Sequence, residues 1–105
     1  MKPVIKLIRT SQGETIISKV VELREDETLV LEKPMALHGQ PTQSGGMQIG
    51  FIPYAPFLDD KELVPIMRKD YVYACLPEKE MIDNYKKAIG EQTIVTPPQG
   101  LILPS

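Results

Sequence analysis

The chain has 105 residues, enough for one hydrophobic core of ordinary size and too few for two. With 42% hydrophobic and 25% charged residues its composition is that of a globular protein, and no apolar run approaches the ~20 residues of a membrane-spanning helix. The formal net charge of −2 excludes a general nucleic-acid binder that works by phosphate neutralisation, while leaving room for a small local basic site. A single cysteine excludes an intramolecular disulfide framework and fits a reducing compartment. The opening MKPVIK lacks the apolar region of a secretory leader, so a cytoplasmic location is expected. The ten prolines are roughly twice the usual share and punctuate the loops and the tail.

In chain order, Val4–Arg9, Thr15–Leu23 and Thr28–Lys33 are rich in Val, Ile, Leu and Thr, residues that suit a pleated surface. Gly13 marks a tight turn after the first segment, and the charged run Arg24-Glu25-Asp26-Glu27 marks a solvated turn after the second. The three segments read as an antiparallel meander. Ile16-Ile17 and Val20-Val21 are adjacent apolar pairs, so the second strand carries apolar side chains on both faces. That pattern suits a sheet bent into a small barrel, or one covered by a neighbouring subunit.

The stretch His38–Gly46, dense in Gly, Pro, Ser and Gln, reads as a loop. His38 is the only histidine, and no Cys, Asp or Glu stands at a ligand-like spacing from it, so it reads as a strand-end or loop residue. Met47–Leu58 is the most apolar dozen. It begins as a strand and is interrupted by Pro53 and Pro56, which cannot donate to a ladder. Phe51, Tyr54 and Phe57 would serve as a base-stacking platform or, more simply, as core and interface residues. Asp59-Asp60-Lys61 reads as a polar turn. Two short strands follow, Glu62–Met67 and Tyr71–Leu76, parted by Arg68-Lys69-Asp70. Alternation puts Val72, Ala74 and Leu76 on one face, with Val72 expected in the core beside Ile17, Val21, Leu29 and Leu31, and Cys75 reads as a small buried residue.

The spacing predicts one helix over residues 78–90. Pro77 is suited to the first helical position, acidic Glu78 and Glu80 to the first turn, and Lys86, Lys87 and Gly90 to the end. Met81, Ile82, Tyr85, Ala88 and Ile89 make one apolar stripe. Residues 91–105 carry two apolar patches around Thr-Pro-Pro-Gln-Gly and read as an extended tail.

The order of strands and turns resembles a five-stranded Sm-like (LSm) barrel over Val4 to Pro77. Gly13 stands where the family has a glycine in its first hairpin, and Val20, Leu23, Leu29 and Leu31 match hydrophobic positions of the first motif. Met67-Arg68-Lys69-Asp70-Tyr71-Val72-Tyr73 is similar to the second motif. A helix after the last strand resembles Sm-like proteins of marine bacteriophages. The implied fold is mainly β: a small, strongly bent antiparallel Sm-like (SH3-like) barrel over 1–77, with one C-terminal helix packed on it.

The resemblance also implies a ring of five to seven copies and single-stranded RNA bound at pore-facing loops. The RNA positions fall on Arg24, Thr28, Arg68 and Lys69. Only Arg68 keeps the family's residue type, since Arg24 and Thr28 replace an Asp and an Asn and Lys69 replaces a glycine. Copies would join by strand pairing through Ile49, Phe51, Ile66, Tyr71, Val72 and Tyr73. An oligomeric protein-binding adaptor that binds no RNA is the alternative. An enzyme is not expected, for no catalytic pair, phosphate-cradling loop or metal cluster is legible, and no cofactor is expected.

Overall fold

The structure, a computed structural model, describes residues 2–59 and 61–90. Six strands and one helix follow in order: β1 (Val4–Thr10), β2 (Thr15–Leu23), β3 (Leu29–Pro41), β4 (Met47–Pro53), β5 (Leu63–Ile66), β6 (Tyr71–Cys75) and α1 (Lys79–Ala88), with a 3₁₀ turn at Arg68–Asp70 before β6. All pairings are antiparallel. The sheet runs β4-β3-β2-β1-β6, and β5 pairs with β3 beside β4. Among the described residues no ladder joins β6 to β4 or β5, so the sheet is not closed by backbone pairing.

The predicted meander is present. Gly13 has φ +93°, and its amide donates to Thr10 O at 3.0 Å, the tight turn its position foretells. The acidic turn between β2 and β3 is closed by Glu27 N–H to Arg24 O (2.9 Å) and Arg24 N–H to Thr28 O (3.0 Å).

β3 is longer than the sequence suggests. It continues through His38-Gly39-Gln40-Pro41, which the Gly/Pro content marks as loop, so His38 is a strand residue paired with Gly50. Leu29–Glu32 pairs with β5, and Met35–Pro41 pairs with β4. The change of partner falls at Lys33-Pro34, where Lys33 has φ +53°. Pro34 lacks an amide hydrogen, and at this break its carbonyl still accepts from Tyr54 N–H at 3.0 Å. A proline is tolerated where the ladder changes hands.

The adjacent apolar pairs have different origins: Ile16-Ile17 is buried on both faces of β2, and Val20-Val21 meets a bulge. Ile16 and Ile17 both have no exposed surface, yet Ile16 belongs to the inner cluster with Ile8, Val20, Leu29, Leu31, Ile66 and Tyr71, whereas Ile17 does not. Ile17 faces the other side, next to Met35, and Met35 shares a groove with Ala88 and Ile89 of the α1 end. The β2–β3 register then shifts between Ile17 and Lys19 and again between Val20 and Glu22. Val21 falls in the second shift and is half-buried rather than in the core.

A third bulge overturns the expectation that Val72 is buried. Tyr71 pairs with Thr10 and Tyr73 with Arg9, so Val72 is the extra residue and points outward, 60% exposed. The shift turns both Tyr71 and Ala74 towards the inner cluster. Cys75 is likewise exposed, not buried. The helix is placed as predicted but starts later: Pro77 precedes the N-cap Glu78 instead of opening the helix, and Gly90 ends it at φ +78°. Tyr85, in the middle of the apolar stripe, is fully buried. The predicted tail, 91–105, lies outside the described residues.

Candidate functional site

Two places gather the residues singled out in the sequence: the corner where the β2–β3 turn meets the 3₁₀ turn, and the free edges of the sheet. At the corner, Tyr71 is held from both sides. Its hydroxyl donates to Glu27 O at 2.6 Å, and its own carbonyl accepts from Arg68 Nη1 at 2.8 Å. The Arg68 guanidinium carbon lies 4.9 Å from the Tyr71 ring centre, a cation–π distance. Its Nε lies 3.6 Å from Glu27 Oε2. Burial, and after it the Glu27 and Asp26 carboxylates, push the Tyr71 phenol above its usual range, with Arg68 working against them.

Thr28 is 4% exposed, and its amide donates to Asp26 Oδ1 at 3.0 Å. Hydrogen bonds from the Thr28 hydroxyl and amide hold the Asp26 carboxyl below its usual range. Arg24 lies 3.6 Å from Glu22 at the surface. The 3₁₀ turn is tied to the β1–β2 turn, where Ser11 Oγ donates to Lys69 O at 2.9 Å and Ser11 N–H to Asp70 O at 2.9 Å. Lys69 is exposed. Of the four residues that the resemblance assigns to RNA, the structure therefore brings Arg68 and Lys69 to the exposed corner, beside Arg24. Thr28 sits beneath, with its polar groups turned to Asp26. Glu25, Asp26, Glu27 and Asp70, with Glu22 at the adjoining end of β2, outnumber Arg24, Arg68 and Lys69 at this corner, so the local field of one chain is acidic.

The sheet edges carry the other set. On β6, Val72 is 60% and Tyr73 41% exposed, and Leu76 just beyond is 70% exposed. β4 presents exposed Met47 and Ile52, with Ile49 and Phe51 half-buried, and β5 presents exposed Leu63. Ile66 and Tyr71 are core residues of this chain. A cleft of about 470 Å³ runs beside β6, lined chiefly by Val4, Val20, Leu29, Tyr71 and Val72, with Lys6, Glu27 and Arg68 at its rim. Phe57 is almost wholly exposed, whereas Tyr54 packs against the inner cluster, so the three aromatics of this stretch do not form one platform.

Sequence reasoning missed the corner contact between Tyr71 and Glu27, which lie 44 residues apart. No local pattern encodes such a pairing. A usable signal was the tyrosine directly after Arg68-Lys69-Asp70, where a core position also carries a hydroxyl that needs a partner. Among the described residues no group of three or more His, Cys, Asp and Glu side chains gathers as a metal site, and no helix is long and apolar enough to cross a membrane. No family model matches the chain, and a search of curated proteins returned no match.

Proposed function

We propose that this protein is a non-enzymatic self-assembling module of Sm-like architecture, whose copies join edge to edge into a closed ring. The carrying observation is that the sheet ends in free strands, β6 on one side and β4 with β5 on the other, and that these present Val72, Tyr73, Met47, Ile52 and Leu63 to solvent. Free edges without charged guards recruit further strands. Pairing the β6 edge of one copy with the β4 or β5 edge of the next is a head-to-tail contact, which must close into a ring or grow into a filament. The order β4-β3-β2-β1-β6, the short turn between β5 and β6 and the bulged β2 support reading the sheet as a strongly bent five-stranded barrel, with β4 and β5 as one interrupted strand. Five to seven copies follow from the Sm-like resemblance.

The assembled ring, in this reading, serves as a scaffold for protein partners. Thr28 spends its polar groups on Asp26, the guanidinium of Arg68 is engaged by Glu27 and Tyr71, and the corner is acidic, none of which favours polyanion binding. One observation favours single-stranded RNA as a second reading. Lys69 projects from an exposed turn, and repetition around a ring would concentrate its charge near the axis. Native mass spectrometry with and without a short oligouridine tests both. A single species of several chains that takes up no RNA supports the scaffold; salt-sensitive uptake of one oligonucleotide per ring supports the RNA reading. A monomer under both conditions removes both.

A further inference from the structure

Resting on the edge-pairing reading, we infer that Arg68 and Tyr71 are positioning residues: together they clamp β6 to the β2–β3 turn and so fix the free edge that a second copy must meet. β6 has five residues, and its ladder to β1 is broken by a bulge at its first turn of pairing, between Arg9 and Thr10. A strand so short and so interrupted is a poor template unless something else fixes its entry. The clamp supplies that. Tyr71 is the first residue of β6; its ring is in the inner cluster, its hydroxyl donates to Glu27 O at 2.6 Å, and its carbonyl takes the Arg68 Nη1 hydrogen bond at 2.8 Å.

Glu27 itself stands in the left-handed region at φ +67°, a conformation in which the Cβ of an ordinary residue is crowded by the following carbonyl. Its carbonyl is thereby presented to Tyr71 in a turn that has no glycine to adopt the shape freely. Arg68 then closes the arrangement over the top, stacked on the Tyr71 ring and facing the Glu27 carboxylate. The Arg68–Glu27 pair is about half-exposed on both sides, so solvent screens it; the neutral-acceptor hydrogen bond and the ring contact carry the clamp. Geometry of this kind needs a planar guanidinium, which a lysine cannot replace. The residue matched to the family's RNA-contacting arginine is, on these contacts, a brace for the assembly edge.

The test uses the full chain with Arg68→Met, Arg68→Lys, Tyr71→Phe and, as control, Lys69→Met. Hydrogen exchange of the Tyr71–Cys75 segment reads the clamp, and the dilution midpoint of the oligomer reads assembly. Arg68→Met and Tyr71→Phe should each speed exchange in that segment and raise the midpoint roughly tenfold, the scale of one hydrogen bond of this kind. Arg68→Lys should resemble Arg68→Met, and Lys69→Met should change neither reading. Unchanged exchange in Arg68→Met overturns the clamp, as does Arg68→Lys restoring both the exchange and the midpoint that Arg68→Met had lost. Faster exchange in Arg68→Met and Tyr71→Phe than in the wild type, with all of these proteins monomeric, would uphold the clamp and defeat the ring alone.

Discussion

The Tyr85 hydroxyl donates to the main-chain carbonyl of Lys33 at 2.7 Å. Lys33 is the residue at which β3 leaves β5 and joins β4, and it has φ +53°. The same hydroxyl oxygen accepts from Lys19 N–H at 3.2 Å and lies 3.3 Å from Glu32 O. The β2–β3 ladder is interrupted here, leaving main-chain groups that a buried site must satisfy by other means. One tyrosine from the helix fills the gap, with Ser18 Oγ adding a bond to Glu32 O at 3.0 Å. So α1 completes the sheet as well as covering it.

Replacing Tyr85 with Phe should therefore destabilise the protein by about 1–3 kcal/mol, since it strands buried main-chain groups while keeping the ring. Urea unfolding of the two proteins, with unchanged m-values, is the measurement. A loss well under that range would mean that water enters to replace the hydroxyl.

Alkaline unfolding carries the same signature. Burial pushes the Tyr85 phenol from its ordinary value of 10.0 up to about 12, so the folded state holds the proton more tightly than the unfolded chain. The associated stability is fully present below pH 10 and is lost as pH climbs towards 12. Burial raises Tyr54 and Tyr71 in the same direction. Stability measured across this window should fall in the wild type and fall less steeply, though still fall, in Tyr85→Phe.

In the core, Leu31→Ala and Ile17→Ala should each cost about 2–5 kcal/mol, because both side chains are fully buried and their removal leaves cavities. Val72→Ala should leave the stability of the single chain within about 0.5 kcal/mol, as an exposed site does. Thermal melts under dissociating conditions separate the two groups.

Much of this fold was legible because the signals are local. Gly13 at a turn, the charged run 24–27, and the stripe Met81, Ile82, Tyr85, Ala88, Ile89 each fix one element through nearest neighbours, and those elements stand where they were expected. The errors share one cause. Period-two alternation assumes an unbroken ladder, and a bulge shifts it by one residue; hence Val72 faces outward while Tyr71 and Ala74 face in. β3 reads too short for a related reason: the strand reads as ending at Lys33, before Pro34, and Gly39 reads as a loop residue, but Pro34 occupies the break between two partner strands, where no ladder donor is needed. At the candidate site, Arg68 and Lys69 were visible as charges. Their partners, Glu27 and Ser11, lie 41 and 58 residues away, respectively, and no spacing rule reaches that far.

The free edge yields a sharper expectation. Val72→Lys places a charge on an exposed bulge, so the single chain should fold normally while strand pairing between copies is blocked. Circular dichroism should match the wild type, and the mass in solution should drop to that of one chain.

Light scattering of the wild-type protein at micromolar concentration, coupled to size exclusion, measures the proposed assembly most directly. Edge-to-edge closure predicts a single, concentration-stable species of several times the 11.8 kDa chain mass, five to seven times if the Sm-like resemblance holds. A well-folded species of one chain mass at the same concentration would contradict it, and the pore-based RNA reading would fall with it.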